Sequence, residues 1–177
     1  MFKQGWYKKA QHISSPNFNQ RPDKNDISLA VIHCISLPEG KYQNTNVEDL
    51  FTNSLDCNQH DSFKSLEGVK VSAHFYIKRN GEIVQFVCVD DRAWHAGISK
   101  YNGRDGCNDF SIGIEMQGTD KTVYTDIQYE SLNILLKDLK KSYSSLRNIT
   151  GHENIAPGRK TDPGKCFEWE KLRFHKL

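Results

Sequence analysis

Two histidines and an aspartate in this sequence have the types and settings of metal ligands. His33 closes the short apolar run Ser28-Leu29-Ala30-Val31-Ile32, at the point where a strand end delivers a side chain into a cleft. His152 follows the short strand-like segment Asn148-Ile149-Thr150-Gly151. Asp162 lies in Ala156-Pro157-Gly158-Arg159-Lys160-Thr161-Asp162-Pro163-Gly164, where two prolines and two glycines make a stiff loop able to return the carboxylate towards His152. Two imidazoles and one carboxylate suit a catalytic zinc, because they leave a fourth position for water. Spacing alone does not select them, since seven histidines offer other His-His-Asp combinations. His12, His60 and His175 sit in polar or terminal stretches and read as surface residues. His74, beside Ala73 and Phe75 in a strand, reads as a hydrogen-bonded core histidine, and His95 either lines a pocket or packs.

Two further residues add chemistry. Glu115 stands towards the end of the apolar strand Ser111-Ile112-Gly113-Ile114, where a carboxylate is costly without a partner. It is either a solvent-end Glu paired with a cation or a general base of raised pKa beside a metal site. Lys160 is two positions from Asp162, so an extended loop aims both side chains the same way. It is either a solvated lysine or an oxyanion stabiliser. The cysteines Cys34, Cys57, Cys88, Cys107 and Cys166 form no Cys-x-x-Cys pair, which argues against a thiolate zinc finger or a disulfide framework. A Cys34–His33 hydrolase is disfavoured because neighbouring strand residues point to opposite faces.

The elements that must position these groups follow from periodicity. A buried strand ends at His33, and a long polar stretch to about residue 70, with a short helix over Val47 to Phe51, is read as functional loops. Val71 to Arg79 and Glu82 to Val87 form a hairpin, with Asn80-Gly81 supplying the positive φ angles of a tight turn. Ser111 to Met116 is a further buried strand. Thr125-Asp126-Ile127-Gln128 is a capping box, followed by Leu132, Leu135, Leu136, Leu139 and Tyr143 at helical spacing, with Lys137, Lys140 and Lys141 outside. This order predicts an α/β fold, a mixed β-sheet flanked by helices, in one domain over 1–177, with 1–27 as an extended N-terminal arm packed on it.

Composition narrows the function classes. The 24 Lys+Arg against 22 Asp+Glu leave a net charge of +2, too balanced for a nucleic-acid or anionic-membrane surface. No run of 18 apolar residues predicts a membrane span, and the N-terminal residues lack a signal-peptide pattern. The expectation is a cytoplasmic monomer with no nucleic-acid or membrane partner.

Five segments in this order carry a resemblance: Val31-Ile32-His33, Val71-Ser72-Ala73-His74, Asp91 to Gly97, Cys107 to Glu115, and Thr150 to Gly164. They closely resemble the cytoplasmic 1,6-anhydro-N-acetylmuramyl-L-alanine amidases (AmpD), a branch of the peptidoglycan-recognition-like zinc amidases. The resemblance runs from Gly5-Trp6 to Phe167-Glu168-Trp169. It implies that fold, one zinc per chain held by His33, His152 and Asp162, and Glu115 and Lys160 as catalytic residues. It also implies an anhydro-muropeptide substrate, cut between the lactyl group of anhydro-N-acetylmuramic acid and L-Ala during cytoplasmic peptidoglycan recycling. Trp94 is similar to the family's tryptophan beside the muramyl site; a stacking plate and a core Trp remain the two readings. Ala156 and Arg159, in the ligand loop, are expected to offer backbone and guanidinium contacts to the peptide. Three positions depart from the pattern: Cys34 replaces Asn, Lys70 replaces Arg, and Gly106 replaces an Arg for which Arg104 is the nearest substitute. Two other readings are an amidase of the same chemistry accepting intact murein, and a muropeptide-binding module that does not cut.

Overall fold

Seven consecutive buried or half-buried residues at Leu29–Ile35 and seven at Ser111–Gln117 form the two central strands of the computed structural model, which describes residues 1–174. In chain order the elements that matter are β1 (Gln11–His12), β2 (Leu29–Ile35), α1 (Asn46–Phe51), β3 (Phe75–Ile77), β4 (Ile83–Gln85), β5 (Ser111–Gln117), α2 (Asp126–Ser142), β6 (Asn148–Gly151) and α3 (His152–Ile155). Six strands make one sheet in the order β6-β2-β5-β3-β4-β1. The β6-β2, β2-β5, β5-β3 and β4-β1 pairs are parallel and β3-β4 is antiparallel, so the sheet is mixed, as expected. His175 lies outside the described residues. Among the described residues no helix is long and apolar enough to cross a membrane.

The two-residue strand period sorts the sheet into two faces. Ala30, Ile32, Ile112, Ile114 and Met116 point to one side, where they meet Leu132, Leu135, Leu136 and Leu139 of α2. These four leucines are fully buried, so truncating one to Ala costs about 2–5 kcal/mol. The capping box that starts α2 is present: Thr125 Oγ1 accepts from Gln128 N, and the Gln128 side chain accepts from Thr125 N. Leu29 and Val31 point to the other side, onto Ala96, Cys107, Phe110 and Ile155. His33 shares that second face by period, and Glu115 is its register partner on β5.

Three local expectations are corrected. The strand does not end at His33 but runs on to Ile35, because β5 continues to Gln117 and pairs with it. Glu115 is therefore inside a strand rather than at its solvent end. The Val71–Arg79 strand shortens to Phe75–Ile77, although His74 still bonds both neighbours through its backbone, to Gly113 O and from Phe86 N. The hairpin turn is wider than an Asn-Gly pair. Lys78 N bonds Glu82 O, Gly81 N bonds Lys78 O, and only Gly81 takes a positive φ, of 84°. This is a three-residue loop in which a turn is followed by a left-handed glycine. Its tip rests on α2, where Ser131 Oγ donates to Gly81 O. A Cβ on Gly81 would lie 2.8 Å from Ile127 Cγ1.

Residues 1–27 hold short ribbons: Phe2–Lys3 pairs with Trp6–Tyr7, and Phe18–Gln20 pairs with Asp91–Ala93. Arg21 anchors the end of this segment. Its buried guanidinium donates to the carbonyls of Val89, Asn108, Asp109 and Ser111, fastening the loop after β4 to the segment that leads into β5.

Candidate functional site

β2, β6 and the loop after α3 converge on one point. β6 ends at Gly151, where a Cβ would meet Pro163 Cδ at 2.8 Å, so the absent side chain lets the 162–164 loop close over the strand. His152 opens the short helix α3. The loop is then tied back by Glu153 N to Asp162 O, 2.9 Å, and by Arg159 N and Lys160 N to Ala156 O, 3.1 Å each. Gly164 at φ 85° packs against the Asp120 backbone, which leaves no room for a side chain.

The result is a triangle of donor atoms. His33 Nδ1 lies 2.9 Å from His152 Nδ1 and 3.2 Å from Asp162 Oδ2, and His152 Nδ1 lies 3.0 Å from Asp162 Oδ2. Among the described residues this is the one His/Cys/Asp/Glu group able to hold a metal. Tetrahedral ligation at zinc bond lengths of about 2.0–2.1 Å puts ligand atoms roughly 3.3 Å apart, so these side chains need to open by only a few tenths of an ångström. Protonation agrees with that use. Burial, with His152 and Lys160 nearby, pushes His33 down to about 4, leaving a neutral imidazole at pH 7. Burial pushes Asp162 up, but its contacts with His152 and His33 more than offset this and hold it well below the usual carboxylate range. Neutral imidazoles and an ionised carboxylate are the forms that bind metal.

Glu115 is 8% exposed, and its Oε2 is buried without a hydrogen-bond partner. Burial first, then Asp162, raises its pKa well above the usual value, against the pull of Lys160. Lys160, Asp162, Arg159 and Cys34 line one cleft of about 450 Å³, together with residues of the 35–39 and 118–121 loops. Of these loops, the long polar stretch after β2 points to Ser36, while Thr119 and Asp120, just past the end of β5, carry no sign in the sequence.

The substrate residues expected from sequence divide into two groups. Cys34 and Arg159 line the cleft. Burial pushes the Cys34 thiol up to about 12, so it stays protonated at neutral pH. The Arg159 guanidinium donates to Ala96 O at 2.8 Å and Ile98 O at 2.6 Å, bracing the 96–98 loop. Ala156 is buried behind the loop, its N bonded to His152 O and its O accepting from Arg159 and Lys160. Trp94, Lys70 and Arg104 are not among the residues lining this cleft. Trp94 is half-buried, its indole Nε1 donating to Asn19 Oδ1 at 2.7 Å. Lys70 borders a separate small hollow with Leu50, Leu55 and Leu66. Arg104, the nearest substitute for the Arg missing at Gly106, pairs with Asp26 and stacks 3.9 Å from the Phe110 ring centroid.

Comparison with known proteins adds relatives to this geometry. Residues 23–165 match the model of the N-acetylmuramoyl-L-alanine amidase family. The chain is 48% identical over 174 residues to the 1,6-anhydro-N-acetylmuramyl-L-alanine amidase AmpD of Citrobacter freundii, covering 98% of this chain and 93% of that one. A crystal structure of an AmpD selenomethionine derivative superposes with a TM-score of 0.95 at 48% identity, covering 98% of this chain and 97% of the other. A complex of the Escherichia coli amidase AmiD with the substrate anhydro-N-acetylmuramic acid-L-Ala-D-γ-Glu-L-Lys superposes with a TM-score of 0.61 at 30% identity. It covers 86% of this chain and 58% of that one.

Proposed function

From the premise that the chain belongs to the N-acetylmuramoyl-L-alanine amidase family, we propose that it is a zinc-dependent hydrolase of anhydro-muropeptides. It cuts the amide between the lactyl group of 1,6-anhydro-N-acetylmuramic acid and L-Ala, as a cytoplasmic monomer in peptidoglycan recycling. The observation that carries the reading is the triangle of His33 Nδ1, His152 Nδ1 and Asp162 Oδ2, with Glu115, whose Oε2 is buried without a partner, as the register partner of His33. Similarity to proteins named for that substrate bond supports the choice of bond.

His33, His152 and Asp162 hold the zinc. Bound there, zinc supplies Lewis-acid polarisation of the scissile carbonyl and a water acidic enough to be deprotonated near neutrality. Glu115 takes the proton from the attacking water and returns it to the leaving amine of L-Ala, a transfer its raised proton affinity favours. Lys160, facing the same cleft as Asp162, stabilises the developing oxyanion with its ammonium. Cys34 and Arg159 form part of the wall against which the substrate lies.

The test is cleavage of a purified anhydro-muropeptide, with products identified by mass. The zinc-loaded protein releases a peptide beginning with L-Ala; chelation stops the reaction and added zinc restores it. Tight zinc binding with no cleavage would instead indicate a binding module. Equal cleavage of anhydro and reduced muropeptides would indicate the broader amidase.

A further inference from the structure

His33 uses Nδ1 in the triangle, which leaves its Nε2 facing away from it. That nitrogen lies 2.9 Å from His95 Nδ1, with the two rings at 87°. His95 Nε2 in turn lies 3.2 Å from Ser111 Oγ, and Ser111 Oγ donates to Cys107 O at 2.5 Å. With a metal on His33 Nδ1, only one assignment of protons satisfies the whole chain. His33 Nε2–H donates to His95 Nδ1, His95 Nε2–H donates to Ser111 Oγ, and the serine hydroxyl ends on a backbone carbonyl.

The surroundings hold His95 there. Its backbone N and that of Ala96 both donate to Asn108 Oδ1, at 3.1 and 2.8 Å. A Cβ on Gly113 would lie 2.4 Å from His95 Cγ, so the ring occupies space that exists only because β5 carries glycine opposite it. Ser111 is fully buried and cannot swing away to water.

We propose that His95 is a positioning residue that fixes the tautomer and ring orientation of His33 and thereby sets metal affinity. The proposal rests on the zinc reading of the triangle. Metal-bound histidines commonly donate their second N–H to an outer acceptor, and losing that partner typically weakens metal binding 10–100-fold. Here the acceptor is an imidazole rather than a carboxylate. It orients His33 without placing a second carboxylate beside the site.

Zinc affinity of the full chain, measured by competition with a chromophoric chelator, tests the idea beside thermal unfolding of the zinc-free proteins. His95→Leu, which removes the acceptor, should bind zinc roughly 10–100-fold more weakly than wild type. His95→Asn places Oδ1 near the old Nδ1 position and should recover most of that loss. A zinc affinity for His95→Leu within twofold of wild type, or an equal loss in both variants, overturns the proposal. Should His95→Leu fail to fold, Ser111→Ala carries the test, with an expected loss of roughly threefold to tenfold and unchanged affinity as the refuting result. Failure of the wild-type chain itself to bind zinc would refute the site assignment, a separate outcome from a failure of His95.

Discussion

Replacing Glu115 by Gln should raise stability and lower activity together. In the zinc-free protein the Glu115 carboxyl is buried, one oxygen has no partner, and Lys160 is the cation that opposes its desolvation. Gln keeps the buried polar end but removes the charge. It should therefore stabilise the zinc-free fold at pH 7 by about 1.4 kcal/mol for each pH unit over which the folded carboxyl keeps a proton that the unfolded one has lost. The sign with pH is fixed. The folded-state pKa is raised, so between the unfolded value near 4.5 and the folded value the native state holds more protons than the unfolded one. Wild-type stability contributed by this group is therefore present below pH 4.5 and lost as pH rises. Urea unfolding of the two zinc-free proteins at pH 4.5 and pH 7 should give a small difference at the lower pH and the full difference at the higher. Turnover by zinc-loaded Glu115→Gln should fall by roughly 10²–10⁴, about 3–5 kcal/mol of barrier. A variant less stable than wild type at pH 7, or one with wild-type turnover, would refute the reasoning.

Other outcomes follow from single features. Arg21→Ala strips four backbone carbonyls of their donor, and the expected loss is about 3–5 kcal/mol, read as a lowered Tm. Burial raises the phenols of Tyr7, Tyr76, Tyr124 and Tyr129, so the folded state keeps protons that the unfolded chain loses. Each should withdraw about 1.4 kcal/mol of stability per pH unit above about 10; a flat urea midpoint between pH 9 and 11 would contradict this. Cys34→Ala should keep turnover within about threefold of wild type, because a thiol held near 12 cannot serve as nucleophile at pH 7–8. Iodoacetamide at pH 8, followed by mass spectrometry, should label Cys34 far more slowly than an unfolded control.

The sequence was most legible where one residue's chemistry depends on near neighbours. The capping box at Thr125 and Gln128 and the leucine face of α2 were readable because both sit within a few helical turns. Pro157, Gly158, Pro163 and Gly164 announced a loop stiff enough to bring Asp162 back to His152, 3.0 Å away. His33 was singled out as a strand end, yet it lies inside β2, because strand length is set by a partner 82 residues away in sequence. His95 could not be resolved between pocket and packing, since its meaning comes from Nε2 of His33 and from the missing Cβ of Gly113. Arg104 stands in the sequence as the nearest substitute for the Arg missing at Gly106, and its partners Asp26 and Phe110 are not visible there because they come from separate parts of the chain. Arg21 gave no signal at all, because its acceptors are main-chain carbonyls and every residue carries one.

The zinc K-edge absorption spectrum of the zinc-reconstituted chain tests the central claim most directly. The triangle predicts one zinc per chain, bound by two nitrogens and by oxygen from Asp162 and water, all at about 2.0–2.2 Å, with no sulfur. Asp162→Ala should lose most of that zinc. A sulfur shell at about 2.3 Å, which would place Cys34 on the metal, or a chain that takes up no zinc, would contradict the account.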